Sequence, residues 1–282
     1  MSRSTMEDVA RSAGVNKATV SRALRGDPRI SAATREKVWK TAKELGYRLD
    51  LAASGLSRGK TGIAAIVIGE LNPWFSKLFF SGLNRVLIRS GLDILLKLPG
   101  IPFGEIFAGL EARRVDCILC AGGTKEKFLP VLEKITSPVV TAGFSISGIP
   151  AVFVSPEKTV ERLEEISGGR PLRYYSGNSP CFPFLSDLIP GGEVPEGNEF
   201  PVLDGILWNG LPPERGCVCT LPDGRVPETL YSMEWPAFEL GIAAGRVLIR
   251  TLHGNGAGPE TTWLVPGMRR PGGEREPYVK NL

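Results

Sequence analysis

Three residues near the amino terminus constrain the fold of this chain most strongly, because their spacing meets the needs of two crossing helices. Ala10 is small enough to lie where helices cross, Gly14 permits the positive φ of a tight turn, and Val20 is an apolar anchor for a second helix. The apolar spacing predicts helices over about residues 6–12 and 17–24. This combination is typical of a helix-turn-helix, and the alternative is a plain three-helix bundle.

Polar residues at the expected helix ends support the same boundaries. Thr5 offers a capping oxygen with an acidic side chain three residues later, and Asn16 is a good cap for the second helix. A third helix is predicted from near Ser31 to Gly46, a typical C-terminal stop. Residues 1–47 are therefore predicted to form a compact all-α domain.

The charge of the chain is divided unevenly. Residues 1–60 contain 13 Lys and Arg against 6 Asp and Glu, whereas the rest contains 21 against 24. A small basic module beside a larger, nearly neutral one is typical of a protein that brings one end to a polyanion such as DNA. A solvated basic surface without a partner is the alternative.

The stretches 6–22, 30–38 and 44–47 resemble, without gaps, the amino-terminal domain of the LacI/GalR family of bacterial transcription regulators. The resemblance implies a cytoplasmic homodimer that binds double-stranded operator DNA of pseudo-palindromic sequence and acts as a repressor. Two alternatives remain open: a constitutive or protein-controlled DNA-binding regulator with a degenerate effector site, and an enzyme fused to a DNA-binding domain.

The resemblance also implies which side chains contact DNA. Arg22 suits a guanine, Lys17 suits a guanine or a phosphate, and Ala18 suits a thymine methyl group. A second set consists of small hydroxyl and amide groups that hold the phosphate backbone and set the register, namely Thr5, Asn16, Thr19, Ser21 and Thr34.

Residues 48–61 resemble the family's hinge, which becomes a helix when two protomers meet on DNA. By alignment Leu56 is the leucine that wedges into the minor groove, and Ala53 lies beside it as a further DNA contact. Packing of Leu56 against the next domain is the alternative. Gly55 within the expected helix costs about 1 kcal/mol relative to alanine, so this helix is predicted to be weak.

After residue 61, short apolar strands alternate with amphipathic segments, which predicts a parallel sheet covered by helices. The resemblance narrows this to a two-lobed α/β core like that of periplasmic binding proteins. Residues 62–154 and 235–258 are assigned to the first lobe, and residues 155–234 and 259–282 to a reduced second lobe and tail. Residues 267–282 are predicted to be frayed, and residues 205–210 to match a strand of the second lobe.

A degenerate effector site is expected in the second lobe, because Ser155 and Pro156 stand where the family has an acidic ligand group. The residues still expected around a cleft are Trp74, Phe75, Trp208, Asn209 and Asp223. Few of these anchor a sugar, so we expect the family's usual sugars to bind weakly, and the effector to be an apolar ligand, a partner protein or none.

Enzyme, metal and membrane chemistry have little support. The only histidine, His253, lies at a predicted helix end, and no nucleophile-elbow, zincin or Rossmann motif occurs. Cys117, Cys120, Cys217 and Cys219 suggest a four-thiolate metal site, but they lie in apolar strand patterns where cysteine acts as a small hydrophobe. No enzyme activity, cofactor or metal is expected. An odd number of cysteines and the lack of a signal or membrane-spanning pattern favour the cytoplasm.

Overall fold

The structure is a computed structural model, and it divides the chain into two compact units, Met1–Thr61 and Gly62–Leu282. No helix in its described part is both long and apolar enough to cross a membrane. The structure describes residues 4–47, 60–70, 73–177, 182–192, 198–204, 216–220, 226, 228–254, 261–273, 275–276 and 279–280.

The first unit contains the three predicted helices: α1 (Met6–Ala13), α2 (Lys17–Leu24) and α3 (Ala32–Glu44). Their contacts are mainly between short side chains, which lets three brief helices approach closely. The buried core consists of Val9, Ala10, Ala13, Val20, Ala23, Val38 and Ala42. Ala10, inferred from the sequence to lie at the helix crossing, and Val20, the inferred anchor of the second helix, both belong to it.

The second unit begins with a seven-stranded sheet of order β13-β10-β5-β4-β3-β1-β2. All its neighbouring strands are parallel except β13, which runs antiparallel to β10. The strands are β1 (Ile63–Ile68), β2 (Asp93–Lys97), β3 (Cys117–Ala121), β4 (Val139–Ala142), β5 (Ala151–Val154), β10 (Thr261–Val265) and β13 (Val279–Lys280).

Helices cover both faces of this sheet, so its central strands are apolar on both sides. Ala64 and Ile66 of β1 belong to one core cluster with α4 and α8, while Ala65 and Val67 belong to another with α5 and α6. The helices are α4 (Pro73–Leu87), α5 (Phe103–Ala112), α6 (Lys125–Leu132) and α8 (Ala237–Leu252), and a 3-10 turn at Ile88–Ser90 follows α4.

A second sheet of six strands has the order β12-β11-β9-β8-β7-β6, with β6 to β9 parallel. The chain enters it through α7 (Pro156–Ser167) and returns to the first sheet through α8. Its elements are β6 (Leu172–Ser176), a 3-10 turn (Pro183–Asp187), β7 (Phe200–Asp204), β8 (Cys217–Thr220), β9 (Tyr231–Glu234), β11 (Gly267–Arg269) and β12 (Arg275–Glu276). The predicted two-sheet α/β core is confirmed.

Three details of the second lobe differ from expectation. β10 lies in the first sheet because it pairs in parallel with β5, although residues 259–282 were assigned to the second lobe. The tail is not frayed throughout, since β11 pairs with β9 and buries Met268. The strand beside β6 is β7, upstream of the predicted segment 205–210, which lies outside the described residues.

Helices α4 and α8 make the tightest helix contact of the first lobe through glycines. A Cβ atom on Gly82 would lie 2.1 Å from the carbonyl oxygen of Phe238, and one on Gly241 would lie 2.1 Å from that of Phe79. The two helix backbones therefore approach each other so closely that there is no room for a side chain at either glycine. The contact joins the start of the second unit to the segment that returns from the second sheet.

Replacing Gly241 with alanine is predicted to destabilise the core by about 1–3 kcal/mol, because the added methyl group overpacks the crossing and outweighs alanine's better helix propensity. Gly109→Ala in α5 is a matched control, since its nearest neighbour is the end of the Arg113 side chain at 3.5 Å. The control is predicted to gain about 0.5–1 kcal/mol. Urea unfolding measures both, and an equal gain in the two variants would contradict the crossing.

Candidate DNA-binding surface

The turn between α1 and α2 has the geometry that the sequence predicted. Gly14 has a φ of 65°, in the left-handed region where glycine is favoured, and Val15 donates its N–H to the carbonyl of Ala10 at 3.0 Å. Asn16 then caps α2, its Oδ1 accepting from the N–H of Thr19 at 2.7 Å. These local bonds fix the direction in which α2 leaves the turn.

Helix α2 has one buried and one exposed side. Val20 and Ala23 are buried in the domain core, while Lys17, Ala18 and Arg22 are exposed. The three residues predicted to read bases therefore lie on the solvent side of a short helix whose N-terminus is capped. Thr19 and Ser21 are half-buried.

The two basic residues on this surface differ in their contacts. Lys17 forms an ion pair with Glu7 of α1, with 3.6 Å between Nζ and Oε2. The guanidinium of Arg22 makes no hydrogen bond or ion pair with another described residue. An exposed ion pair is weak, so Lys17 can exchange Glu7 for a phosphate or base at small cost. Arg22 has no ion pair to break, and its charge interacts only at longer range with that of Asp27.

Arg25 extends this basic surface by one helical turn and was not identified from the sequence. Its Nε donates to the carbonyl of Ser21 at 2.9 Å, and its Nη2 donates to the Ser21 hydroxyl. Ser21, expected to hold a phosphate, therefore positions an arginine as well. The i, i+4 spacing of the two residues was the available signal.

Thr5 and Asp8 form a capping box at the start of α1. The Thr5 hydroxyl accepts from the Asp8 N–H at 3.3 Å and donates to its Oδ2 at 2.7 Å, while the Thr5 N–H also donates to Oδ2 at 2.9 Å. These hydrogen bonds lower the pKa of Asp8. The Thr5 hydroxyl hydrogen is thus already engaged, so of the predicted phosphate ligands Thr5 is the least ready to donate.

Asn16 and Thr34 keep donors available. No described residue accepts from the amide nitrogen of Asn16, whose oxygen is used for the cap. The hydroxyl of Thr34 accepts from Ser31 Oγ at 2.8 Å, which leaves its own hydrogen free. Ser31 also caps α3 by accepting from the Thr34 N–H at 3.2 Å.

An ion pair stiffens the connection from α2 to α3. Arg29 donates through Nε and Nη2 to the carboxylate of Asp27, at 2.7 Å for the shortest contact, and these bonds hold the pKa of Asp27 well below its usual range. Arg35 of α3 donates to the backbone carbonyls of Asp27 and Ile30. The connection therefore has a defined shape without a regular helix.

Several predicted site residues cannot be placed. Ala53 and Leu56 of the hinge lie outside the described residues, and so do Trp208, Asn209 and Asp223 of the expected cleft. Trp74 and Phe75 lie at the start of α4, but their side chains are outside the description.

Ser155 caps α7 by accepting from the N–H of Lys158, so the position expected to lack a ligand carboxylate has a structural role. A buried acid that sequence reasoning missed, Asp204, lies at the carboxyl end of β7. Its Oδ2 accepts from the Tyr174 hydroxyl at 2.9 Å and from the Phe182 N–H at 2.7 Å. Burial and the neighbouring carboxylate raise the pKa of Tyr174.

The four cysteines considered as metal ligands are buried thiols that form no disulfide with one another. Cys117 and Cys120 belong to the core clusters on opposite faces of the first sheet, because residues three apart in a strand point to opposite sides. Burial raises the pKa of Cys117 to about 12, which disfavours the thiolate that a metal needs. Within the described ranges, no group of three or more potential metal ligands is found.

Sequence comparisons find that this chain is similar to bacterial regulatory proteins. Residues 5–50 match the family described as bacterial regulatory proteins, lacI family. Catabolite control protein A of Staphylococcus xylosus is 32% identical over 215 residues, covering 73% of this chain and 65% of that protein. The protein of the same name from Priestia megaterium is 30% identical over 183 residues, covering 61% and 55%. The chain thus spans less than two thirds of either relative's length.

A structural comparison supports the predicted fold. The crystal structure of the Lac repressor dimer bound to operator and the anti-inducer ONPF matches with a TM-score of 0.68 at 15% identity. The match covers 97% of this chain and 98% of that one. An all-α amino-terminal domain followed by a two-lobed α/β core is therefore confirmed, and the matched family is one of regulatory proteins rather than enzymes.

Two variants of Asn16 separate the role of its side-chain oxygen in capping α2 from the proposed role of its amide nitrogen in binding DNA. Asn16→Ala is predicted to lose about 1 kcal/mol of local stability in α2, whereas Asn16→Asp keeps the acceptor and loses little. Hydrogen exchange of the α2 amides measures this stability. Both variants are predicted to weaken DNA binding, because both lack the amide donor and the carboxylate also repels phosphate. Full DNA affinity in Asn16→Asp would show that Asn16 acts only as a cap.

Proposed function

We propose that this chain, whose residues 5–50 match the lacI family of bacterial regulatory proteins, is a sequence-specific DNA-binding transcription regulator that acts as a repressor in the cytoplasm. Its partners are double-stranded operator DNA and a second copy of the chain. A pseudo-palindromic operator presents the same half-site twice, so two identical helices related by a two-fold axis can both bind.

The exposed side of α2 is the single observation that carries this proposal. It presents an exposed arginine without an ion pair, a small apolar residue and a weakly paired lysine. The direction of this helix is fixed by Gly14 and the Asn16 cap. A guanidinium fork recognises guanine through two hydrogen bonds, while the alanine methyl group suits a thymine. Ser21, Asn16, Thr19 and Thr34 supply neighbouring polar groups for the phosphate backbone, with Arg25 as an addition.

The hinge adds a second kind of DNA contact to the proposal. Leu56 wedges a base step at the centre of the operator, with Ala53 beside it in the minor groove, which kinks the DNA. Both proposals rest on the alignment of residues 48–61 with the family.

A second copy of the chain has a suitable docking surface on β2. This strand is the edge of the first sheet, and Ile94, Leu96 and Leu98 alternate along one face with exposed fractions of 37%, 42% and 46%. Ile88 and Ile101 are also exposed in the adjoining connections. An open strand edge with several large exposed apolar side chains is typical of an interaction surface. In a dimer with a two-fold axis, this surface of one copy packs against the same surface of the other.

Arg22→Ala tests base recognition. With an operator enriched from random DNA by the full-length protein, the variant is predicted to lose about 1–3 kcal/mol of binding free energy on that operator and much less on unrelated DNA. Lys40→Ala in α3 removes the same charge from an exposed position of the same domain and serves as the control. Fluorescence anisotropy gives the affinities, and an equal loss on both DNAs would mean that Arg22 contacts only phosphate.

Leu96→Asp tests the proposed dimer surface. Two buried carboxylates facing each other across the two-fold axis are strongly unfavourable, so the variant is predicted to be monomeric at micromolar concentration and to bind the operator at least about tenfold more weakly. Leu188→Asp is the control, because Leu188 is 48% exposed in the second lobe. Analytical ultracentrifugation measures the state, and a dimeric Leu96→Asp protein would place the interface elsewhere.

A further inference from the structure

The carboxyl edge of the second sheet is occupied by an aromatic side chain of the chain itself. Phe182 is fully buried, and its ring lies edge-on to Trp235 with 4.9 Å between the centroids and 75° between the planes. Trp235 follows β9 directly, and its backbone N–H donates to the carbonyl of Thr220 at 2.9 Å. Both rings therefore lie at the ends of the parallel strands, where open α/β sheets bind ligands.

Asp204 holds Phe182 in this place. The carboxylate is fully buried, and the same oxygen accepts from the Phe182 N–H and the Tyr174 hydroxyl. Hydrogen bonds to a buried carboxylate are strong, so breaking either of these two would be costly. An acid that in this position would suit the hydroxyl groups of a sugar is instead used to fix a loop of the protein.

Trp235 connects this aromatic contact to the first lobe. It lies two residues before α8, which packs against α4, β4 and β5. One apolar cluster runs without interruption from the first sheet through Leu240 and Trp235 to Phe182 and Met233 of the second. The position of Phe182 is therefore coupled by packing to the segment that connects the second sheet to the first.

The carboxyl edge of the first sheet also carries internal bonds. Gly69 and Glu70 donate their N–H groups to the carbonyls of Ala121 and Gly122 at 2.9 and 2.8 Å, which extends the pairing of β1 and β3 past the strand ends. Glu70 also forms an ion pair with Lys127 at 3.1 Å. The strand order of the first sheet reverses between β1 and β3, which is where such sheets open a ligand-binding crevice. Here these backbone hydrogen bonds hold the two chain segments together at that point.

We infer that the Phe182 ring takes the place of an effector: it holds the two lobes in one arrangement, so that operator binding does not depend on a small ligand. The inference rests on the proposed function and extends it to regulation. A ligand controls DNA binding only if it distinguishes two arrangements of the protein, and here the chain's own side chain selects one of them. Removing the ring creates an apolar cavity that a small aromatic molecule can fill.

The experiment is a rescue of Phe182→Ala by toluene in the full-length protein. Wild type is predicted to bind its enriched operator equally with and without toluene. The variant is predicted to bind about tenfold more weakly and to recover most of that loss with toluene, within the usual range of coupling between two sites. Phe107→Ala is the control, because Phe107 is equally buried but lies in α5 on the opposite face of the first sheet.

In the control, toluene is predicted to raise the Tm without changing operator affinity, since that cavity is not coupled to the angle between the lobes. The same response in Phe182→Ala would overturn the inference. If Phe182→Ala does not fold, Phe182→Leu keeps part of the apolar volume. A smaller loss of affinity with partial recovery in toluene supports the inference, and unchanged operator affinity overturns it.

Small-angle X-ray scattering separates this inference from the proposed function, because it needs no DNA. The radius of gyration is predicted to rise in Phe182→Ala and to return with toluene. If wild type enriches no DNA but the scattering response occurs, the proposed function is wrong and the role of Phe182 stands. If wild type binds its operator and the radius of gyration is the same in all samples, Phe182 does not hold the lobes.

Discussion

The contact between α4 and α8 is the constraint on which the rest of the core depends. The chain leaves the first sheet after β5, builds a second sheet and returns in α8, so the two lobes are one unit only if α8 packs firmly. Gly82 and Gly241 allow the two helix backbones to touch, which fixes the position and the direction of α8 against α4. β10 then follows α8 into the place beside β5.

The amino-terminal domain is ordered by a different kind of interaction. Its helices are short and its apolar core is small, so the hydrogen bonds at the helix caps are important for fixing where each helix begins. Thr5, Asn16 and Ser31 each cap one helix, and Gly14 turns the chain between the first two. Asn16 uses its side-chain oxygen for the cap, and we propose that its amide nitrogen contacts DNA.

Much of this domain was predictable from sequence because its determinants are local. The cap at Asn16, the turn at Gly14 and the buried Val20 all follow from residues within one or two helical turns. The partners of the side chains were harder to predict. The ion pair of Lys17 with Glu7 depends on the angle between α1 and α2, and the spacing of apolar residues does not reveal that angle. The strands of the first sheet were likewise predictable, since continuous apolar runs such as Ile63–Ile68 indicate strands buried on both faces.

The second lobe was harder to predict because its architecture depends on contacts between distant segments. β10 was assigned to the wrong lobe, since only its pairing with β5, over 100 residues earlier, places it. Asp204 was missed because its role depends on Tyr174 and Phe182, which approach it only in the folded sheet. The CxxC pattern at Cys117 and Cys120 suggested metal binding, but strand geometry separates the two thiols.

The central claim is that this chain binds a two-fold symmetric operator through α2 of two copies. Hydroxyl-radical footprinting of the full-length protein on DNA enriched from a random pool tests it most directly. We predict two equivalent protected half-sites whose centres are about 10–10.5 base pairs, or a multiple of that, apart. A single protected half-site, or no DNA enriched above the random pool, would contradict it.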